Sequence, residues 1–198
     1  ELKKIVSFCQ RKNIIILIDE VYQGLGSTSV DDFTKQYSNL IIIRSFSKSF
    51  GLPGLRIGYS LTSNKYSQEI ETFRLAIELP QTCIDDALNY LSLYRKTIKK
   101  HIHQIISARK FAHSEFKKRN ILSYGHYGNS VTFYCRNNVI TKKLGNFLLR
   151  NKIIVNYSYF KPLDLFINIT TTNKKNLSYF FKILDKFNDI KKIEVFSK

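Results

Sequence analysis

At 198 residues, 43% hydrophobic and 14% aromatic, the chain is long enough to bury a core and to form one large or two small domains. A formal charge of +17, from 32 Lys and Arg against 15 Asp and Glu, raises phosphate-rich partners, but the basic pairs (Lys99-Lys100, Lys117-Lys118, Lys142-Lys143, Lys174-Lys175, Lys191-Lys192) are spread out with no nucleic-acid motif around them, so no nucleic-acid partner is expected. Cys9, Cys83 and Cys135 read as free thiols of a reducing compartment, the cytoplasm; His101 and His103 face different ways on a helix, His113 and His126 stand alone, and no apolar run is long enough to span a membrane, so neither metal nor membrane is expected.

Leu2, Ile5, Val6 and Cys9 recur at helical spacing and predict a helix over residues 2–11. It leads into Ile14-Ile15-Ile16-Leu17-Ile18, a continuous apolar run suited to a buried strand, which ends in Asp19-Glu20-Val21-Tyr22. A second such run, Leu40-Ile41-Ile42-Ile43, is followed by Arg44 and then Ser45-Phe46-Ser47-Lys48-Ser49-Phe50-Gly51-Leu52-Pro53-Gly54-Leu55-Arg56-Ile57-Gly58. If the two runs are parallel strands of one α/β sheet, Asp19, Tyr22 and Lys48 project from the same sheet edge, where open α/β sheets bind ligands. Residues 56–61 read as a further strand, with Gly58 permitting close backbone approach, and residues 66–74 as a short helix ended near Pro80. From Ile84 to Lys118 apolar residues recur every three to four positions, predicting one long amphipathic helix. Beyond Gly125 and Gly128 the pattern gives a strand at 130–135, a helix end at 144–150, strands at 153–155 and 165–170, and a closing helix near 175–188, the makings of a small α+β domain.

The residues at the first sheet edge match the needs of one cofactor, pyridoxal 5'-phosphate. It requires an amine for a Schiff base, an acid at its ring nitrogen, a donor at its phenolic oxygen, and cations and hydroxyls for its phosphate. Lys48, Asp19, Tyr22, and the set Ser45, Ser47 and Arg56 supply these in turn. A Walker-type phosphate loop is excluded, because the glycines follow the lysine. Taken singly, a lysine in a serine-rich loop is a solvated surface residue and an Asp after a strand is a cap or turn.

In these two motifs, in order and spacing, the chain resembles the fold-type I pyridoxal-phosphate enzymes, specifically the class I/II aminotransferases of the histidinol-phosphate aminotransferase type. The resemblance implies an α/β fold: the C-terminal part of the large, mainly parallel-sheet domain at residues 1–90, and a small α+β domain at 91–198. It implies Lys48 as the Schiff-base lysine, Asp19 as the ring-nitrogen partner, Tyr22 as the phenolic-oxygen donor, and Ser45, Arg56 and, less directly, Ser47 as phosphate ligands. It also implies a homodimer acting on an amino acid and a 2-oxo acid, with a glycine-containing phosphate loop, a stacking aromatic and a cofactor-binding asparagine upstream of Glu1, so that the chain reads as the C-terminal half of such an enzyme. Asn129 matches a small-domain asparagine near the substrate. Asn168 stands where the family places an arginine that grips the substrate carboxylate, a grip that then falls to Lys161 or Arg150. Two alternatives remain at this point: a decarboxylase of the threonine-phosphate type, and a truncated or inactive homologue.

Overall fold

Leu40-Ile41-Ile42-Ile43 carries branched side chains that suit a pleated strand, and it forms the centre of a three-stranded sheet. The computed structural model describes residues 1–75, 78–93, 96–157 and 159–193, and the chain divides into two compact units, Glu1–Ile102 and His103–Lys198. The first contains α1 (Leu2–Arg11), β1 (Ile16–Asp19), the one-turn α2 (Asp31–Thr34), β2 (Leu40–Ser45), β3 (Gly58–Thr62), α3 (Asn64–Glu71) and α4 (Gln81–Ser92). β1 runs parallel to β2 with Asp19 opposite Ile43, and β3 returns antiparallel with Gly58 opposite Ser45. A Cβ on Gly58 would lie 3.0 Å from the Arg44 carbonyl oxygen, so the close approach expected at this glycine is real.

The two apolar runs differ in burial. Leu40, Ile42 and Arg44 of β2 are buried, whereas β1 alternates, with Leu17 and Asp19 on a face open to solvent. The expected burial therefore holds for β2 and fails for β1, because no described element of this unit covers that face; Ile5, Phe8, Ile14, Ile15 and Leu17 are each about half exposed.

The second unit follows from α5 (Thr97–Lys118), within which the division between units falls, and holds β4 (Ser123–Tyr124), β5 (Ser130–Tyr134), α6 (Asn138–Arg150), β6 (Phe166–Thr170) and α7 (Lys174–Leu184). Its sheet is antiparallel in the order β4-β5-β6. One face is apolar: Val131 and Phe133 of β5 with Ile167 and Ile169 of β6. That face is covered by Ala112 and Phe116 of α5, Leu144 and Leu148 of α6, and Phe180, Phe181 and Leu184 of α7. Phe116 is central, its ring 4.7 Å from that of Phe133 and 4.9 Å from that of Phe181. Asn137 and Asn173 cap α6 and α7 by accepting from the amides of Ile140 and Asn176 at 2.9 and 2.8 Å, which stabilises each helix by about 1 kcal/mol.

Two expected elements need correction. The helix predicted from 84 to 118 is two helices, α4 and α5; residues 94–95 lie outside the described residues, and Leu93 already bonds back only three residues, to Tyr90. Leu88 and Leu91, read as part of one apolar stripe, are 61% and 36% exposed. The strand predicted at 153–155 is absent. Lys152 turns the chain at φ 61° and Ile153 bonds back to Leu148, so only a single bridge, Asn156 to Asn168, reaches the sheet.

Arg119 ties the end of α5 to the residue after α7. It donates to both carboxylate oxygens of Asp185 at 2.6 and 2.8 Å, to Glu115 at 2.7 Å, and lies over the Phe181 ring. Its hydrogen bonds hold the Asp185 carboxyl below the usual range, and Lys118 and Arg119 do the same for Glu115. Both folded-state values are depressed, so this stabilisation is complete above the unfolded carboxylate range, about pH 4, and is lost as pH falls through the lower folded values. Chemical denaturation across pH should show this acid loss in the wild type and a smaller one in Arg119→Met. At neutral pH, Phe116→Ala should cost about 3–5 kcal/mol in the same measurement, through the cavity it leaves.

Candidate active site

Because β1 and β2 are parallel and in register at Asp19 and Ile43, their carboxyl ends open onto one edge of the sheet. Asp19 closes β1: its Oδ1 accepts from the Val21 amide at 2.9 Å, bending the chain so that Tyr22 enters the following turn. Across the edge, Ser45 ends β2, and its Oγ accepts from the Ser47 amide at 3.0 Å, starting the turn that carries Lys48. That turn closes with Gly51 N–H on the Lys48 carbonyl at 3.1 Å, and the rings of Phe46 and Phe50, two residues before and after Lys48, stack on each other 4.7 Å apart.

The two turns meet. Lys48 Nζ lies 5.4 Å from the centroid of the Tyr22 ring, within the roughly 6 Å over which a cation and a ring face attract. Buried Ser49 donates its hydroxyl to the Gln23 carbonyl, stitching one turn to the other. Gly24 sits at φ +88° beside Ser49, a backbone conformation that favours glycine. Asp19, Tyr22 and Lys48 thus share one edge, as the motif order implies. Arg56 lies two residues before Gly58, the partner of Ser45; it is exposed, in a left-handed conformation, and donates through Nη1 to the Pro53 carbonyl at 3.0 Å.

Beneath this edge lies a network that sequence reasoning missed. Arg44 is buried in β2 and donates to Glu20 at 2.7 and 3.1 Å, to Ser29 at 2.8 Å, and to Asp31. Glu20 in turn accepts from the Val30 amide at 2.9 Å. Burial opposes the Arg44 charge, but hydrogen bonds with Glu20, Tyr59 and Asp31 outweigh it and hold its pKa above the ordinary value. Burial likewise pushes the Asp31 carboxyl up, while hydrogen bonds from Ser29 and Arg44 more than reverse this and leave it lowered. The available signal was an arginine at a buried alternate of a strand, which requires an acid partner.

In the second unit, Asn129 immediately precedes β5 and Asn168 lies at the middle of the neighbouring strand β6. Asn168 pairs with Thr132 across β5 and β6, and its side-chain amide donates to the Thr132 hydroxyl at 2.8 Å. The Asn129 carbonyl accepts from the Thr171 amide at 2.7 Å. The turn delivering Asn129 is held at two carbonyls from α5: buried Arg109 donates to Gly128, and His113, four residues on, donates through Nε2 to Gly125 at 3.1 Å. Contrary to the expectation that His113 and His126 stand alone, their rings stack 5.0 Å apart. The three cysteines are free; burial pushes the Cys135 thiol up to about 12, the value of an inert core residue. Among the described residues, no group of three His, Cys, Asp or Glu side chains is placed to hold a metal ion, and no helix is long and apolar enough to cross a membrane.

The family model for aminotransferase class I and II matches residues 1–181. The chain belongs to that family. Histidinol-phosphate aminotransferase of Clostridium acetobutylicum is 27% identical over 199 residues, a match covering 96% of this chain and 53% of that protein. The enzyme of the same name from Ruminiclostridium cellulolyticum is 31% identical over 118 residues, covering 60% of this chain and 32% of that protein. The solved histidinol-phosphate aminotransferase of Sinorhizobium meliloti, in complex with pyridoxal-5'-phosphate, superposes with a TM-score of 0.79 at 20% identity, covering 91% of this chain and 50% of that one. The chain spans about half the length, or less, of the relatives it matches.

Glu20→Ala leaves the buried Arg44 guanidinium short of its principal acceptor. The expected cost is about 3–5 kcal/mol of stability, read by urea denaturation; a cost under about 1 kcal/mol would show the pair to be solvated.

Proposed function

We propose that this chain contributes the lysine-bearing part of a pyridoxal 5'-phosphate-dependent aminotransferase, which moves an amino group between an amino acid and a 2-oxo acid. Residues 1–90 belong to the cofactor domain and 91–198 to the small domain, within a homodimer. The observation that carries the proposal is the meeting of Lys48 and Tyr22 at the edge where Asp19 ends β1. An amine, a phenol, a carboxylate, two hydroxyls and a guanidinium at the ends of β1, β2 and β3 make the donor set this cofactor requires.

When bound, the cofactor supplies an electron sink that acidifies the substrate Cα–H bond. Lys48 would hold the cofactor covalently through its amine and, when that amine is free, would be the group placed to move a proton at the substrate Cα. Asp19, whose Oδ1 accepts from the Val21 amide, would offer its carboxylate to the ring nitrogen and favour the protonated form of that nitrogen. Tyr22 would donate its hydroxyl to the phenolic oxygen. Ser45 and Ser47 offer hydroxyls to the phosphate, and Arg56 a guanidinium with donors beyond the one spent on Pro53.

Asn129 and Asn168 are assigned to the substrate as neutral amides. With the Asn168 amide donating to Thr132, the charge opposite the substrate carboxylate falls to Lys161 or Arg150. The names of the relatives support a phosphorylated, histidinol-phosphate-like amino donor.

Wild-type chain supplied with pyridoxal 5'-phosphate should gain visible absorption, and borohydride should bleach it while fixing the cofactor's mass on the Lys48 peptide. Lys48→Ala should stay colourless; a colourless wild type contradicts the assignment of the cofactor to this chain. Amino-donor turnover that releases a 2-oxo acid supports transfer, and release of carbon dioxide instead points to the decarboxylase. Asn168→Arg should lower KM for amino-acid donors about tenfold, the worth of one charged hydrogen bond; an unchanged KM removes Asn168 from the substrate site.

A further inference from the structure

A second concave site lies in the unit His103–Lys198, and of its lining only His113, which holds the turn before β5, bears on the proposed reaction. On α5, Lys110, His113 and Lys117 fall at i, i+3 and i+7, one stripe of a helix. The turn before β5 brings the His126 ring onto His113, centroids 5.0 Å apart and planes within 25°. These four side chains, with Asn120 and Ser123, border a cavity of about 550 Å³, a size suited to a small ligand.

Its chemistry is one-sided. None of the described residues lining the cavity is a carboxylate. Glu115, the acid of the same helix, is turned to Lys118 and Arg119 at 2.6 and 2.7 Å. His113 forms the wall: Nε2 donates to the Gly125 carbonyl, so in the neutral ring Nδ1 accepts from the Ser123 hydroxyl at 2.8 Å. Burial first, with the electrostatic influence of His126 and Arg109, holds the His113 pKa below its ordinary value and favours that neutral arrangement. The ammonium groups of Lys110 and Lys117, the exposed His126 imidazole and the Asn120 amide remain as donors around the space.

We propose that this cavity binds a small phosphate dianion, free or as a phosphomonoester, with Lys110, Lys117 and His126 as its ligands. Two ammonium groups answer the two charges, and His126 supplies a directed N–H from a ring held in place by stacking.

The test is a titration of the whole chain with inorganic phosphate, at constant ionic strength of about 0.15 M set with chloride, following the ring proton signals of His113 and His126 by NMR. The expected result is saturable shifts of both, with the dissociation constant raised at least about fivefold in Lys110→Gln/Lys117→Gln, the worth of about 1 kcal/mol of charge attraction. The control Lys142→Gln/Lys186→Gln, which removes the same charge elsewhere on the unit, should leave it unchanged. Shifts that never saturate, shifts reproduced by chloride alone, or equal weakening in the control overturn the proposal. So does a response to a single-stranded oligonucleotide without one to phosphate, which would make the stripe a nucleic-acid surface.

Discussion

Parallel pairing of β1 with β2 is the constraint on which the site depends. Two parallel strands in register must end at the same edge, so Asp19 and the Ser45–Lys48 turn are neighbours because of backbone hydrogen bonding before any side chain acts. The buried Arg44 then fixes what the pairing brings together. It is anchored in β2 and reaches Glu20, the residue after Asp19, and through Asp31 and Ser29 the loop beyond. A charge cluster in this position holds the approach to Tyr22 and Lys48 in one arrangement, and a partial loss of it leaves a buried charge unmatched.

The second unit separates structure from chemistry by the two faces of its sheet. Val131, Phe133, Ile167 and Ile169 face a core of helices and aromatic rings, while Thr132 and Asn168 alternate onto the other face. Asn168 is therefore placed where a change of side chain leaves the apolar face of β6 untouched. The Asn129 turn is set by an i, i+4 pair, Arg109 and His113, acting on two glycine carbonyls.

Much of this was legible in the sequence, and the misses have physical causes. The meeting of the Asp19–Tyr22 and Ser45–Lys48 segments at one sheet edge was readable because each follows a β-branched apolar run, and the two runs pair as parallel strands. Helices α1, α6 and α7 and strands β2, β5 and β6 were readable from apolar periodicity. Ile14 to Ile18 read as buried because composition reports what a strand is suited to, while burial depends on a covering element that the described residues of its unit do not supply. The run from Ile84 to Lys118 read as one helix because three-to-four spacing continues through Leu91 and Ile98 without a proline or glycine, and the end of α4 at Ser92 leaves no mark in that pattern. Ile153-Ile154-Val155 has strand composition but follows a helix too closely, and the turn at Lys152 spends its backbone groups first. The place of Arg44 in a buried strand signalled the need for an acid, but that the acid is Glu20, and that His113 stacks on His126, was not readable because each pair joins residues distant in sequence.

The central claim is that one sheet edge presents Lys48, Asp19 and Tyr22 to a single ring. A crystal structure of the chain after incubation with pyridoxal 5'-phosphate and reduction with borohydride tests it most directly. The account predicts density continuous from Lys48 Nζ, with the Asp19 carboxylate within hydrogen-bonding distance of the pyridine nitrogen and the Tyr22 hydroxyl at the phenolic oxygen. Density attached to another lysine, or a ring whose nitrogen faces away from Asp19, would contradict it.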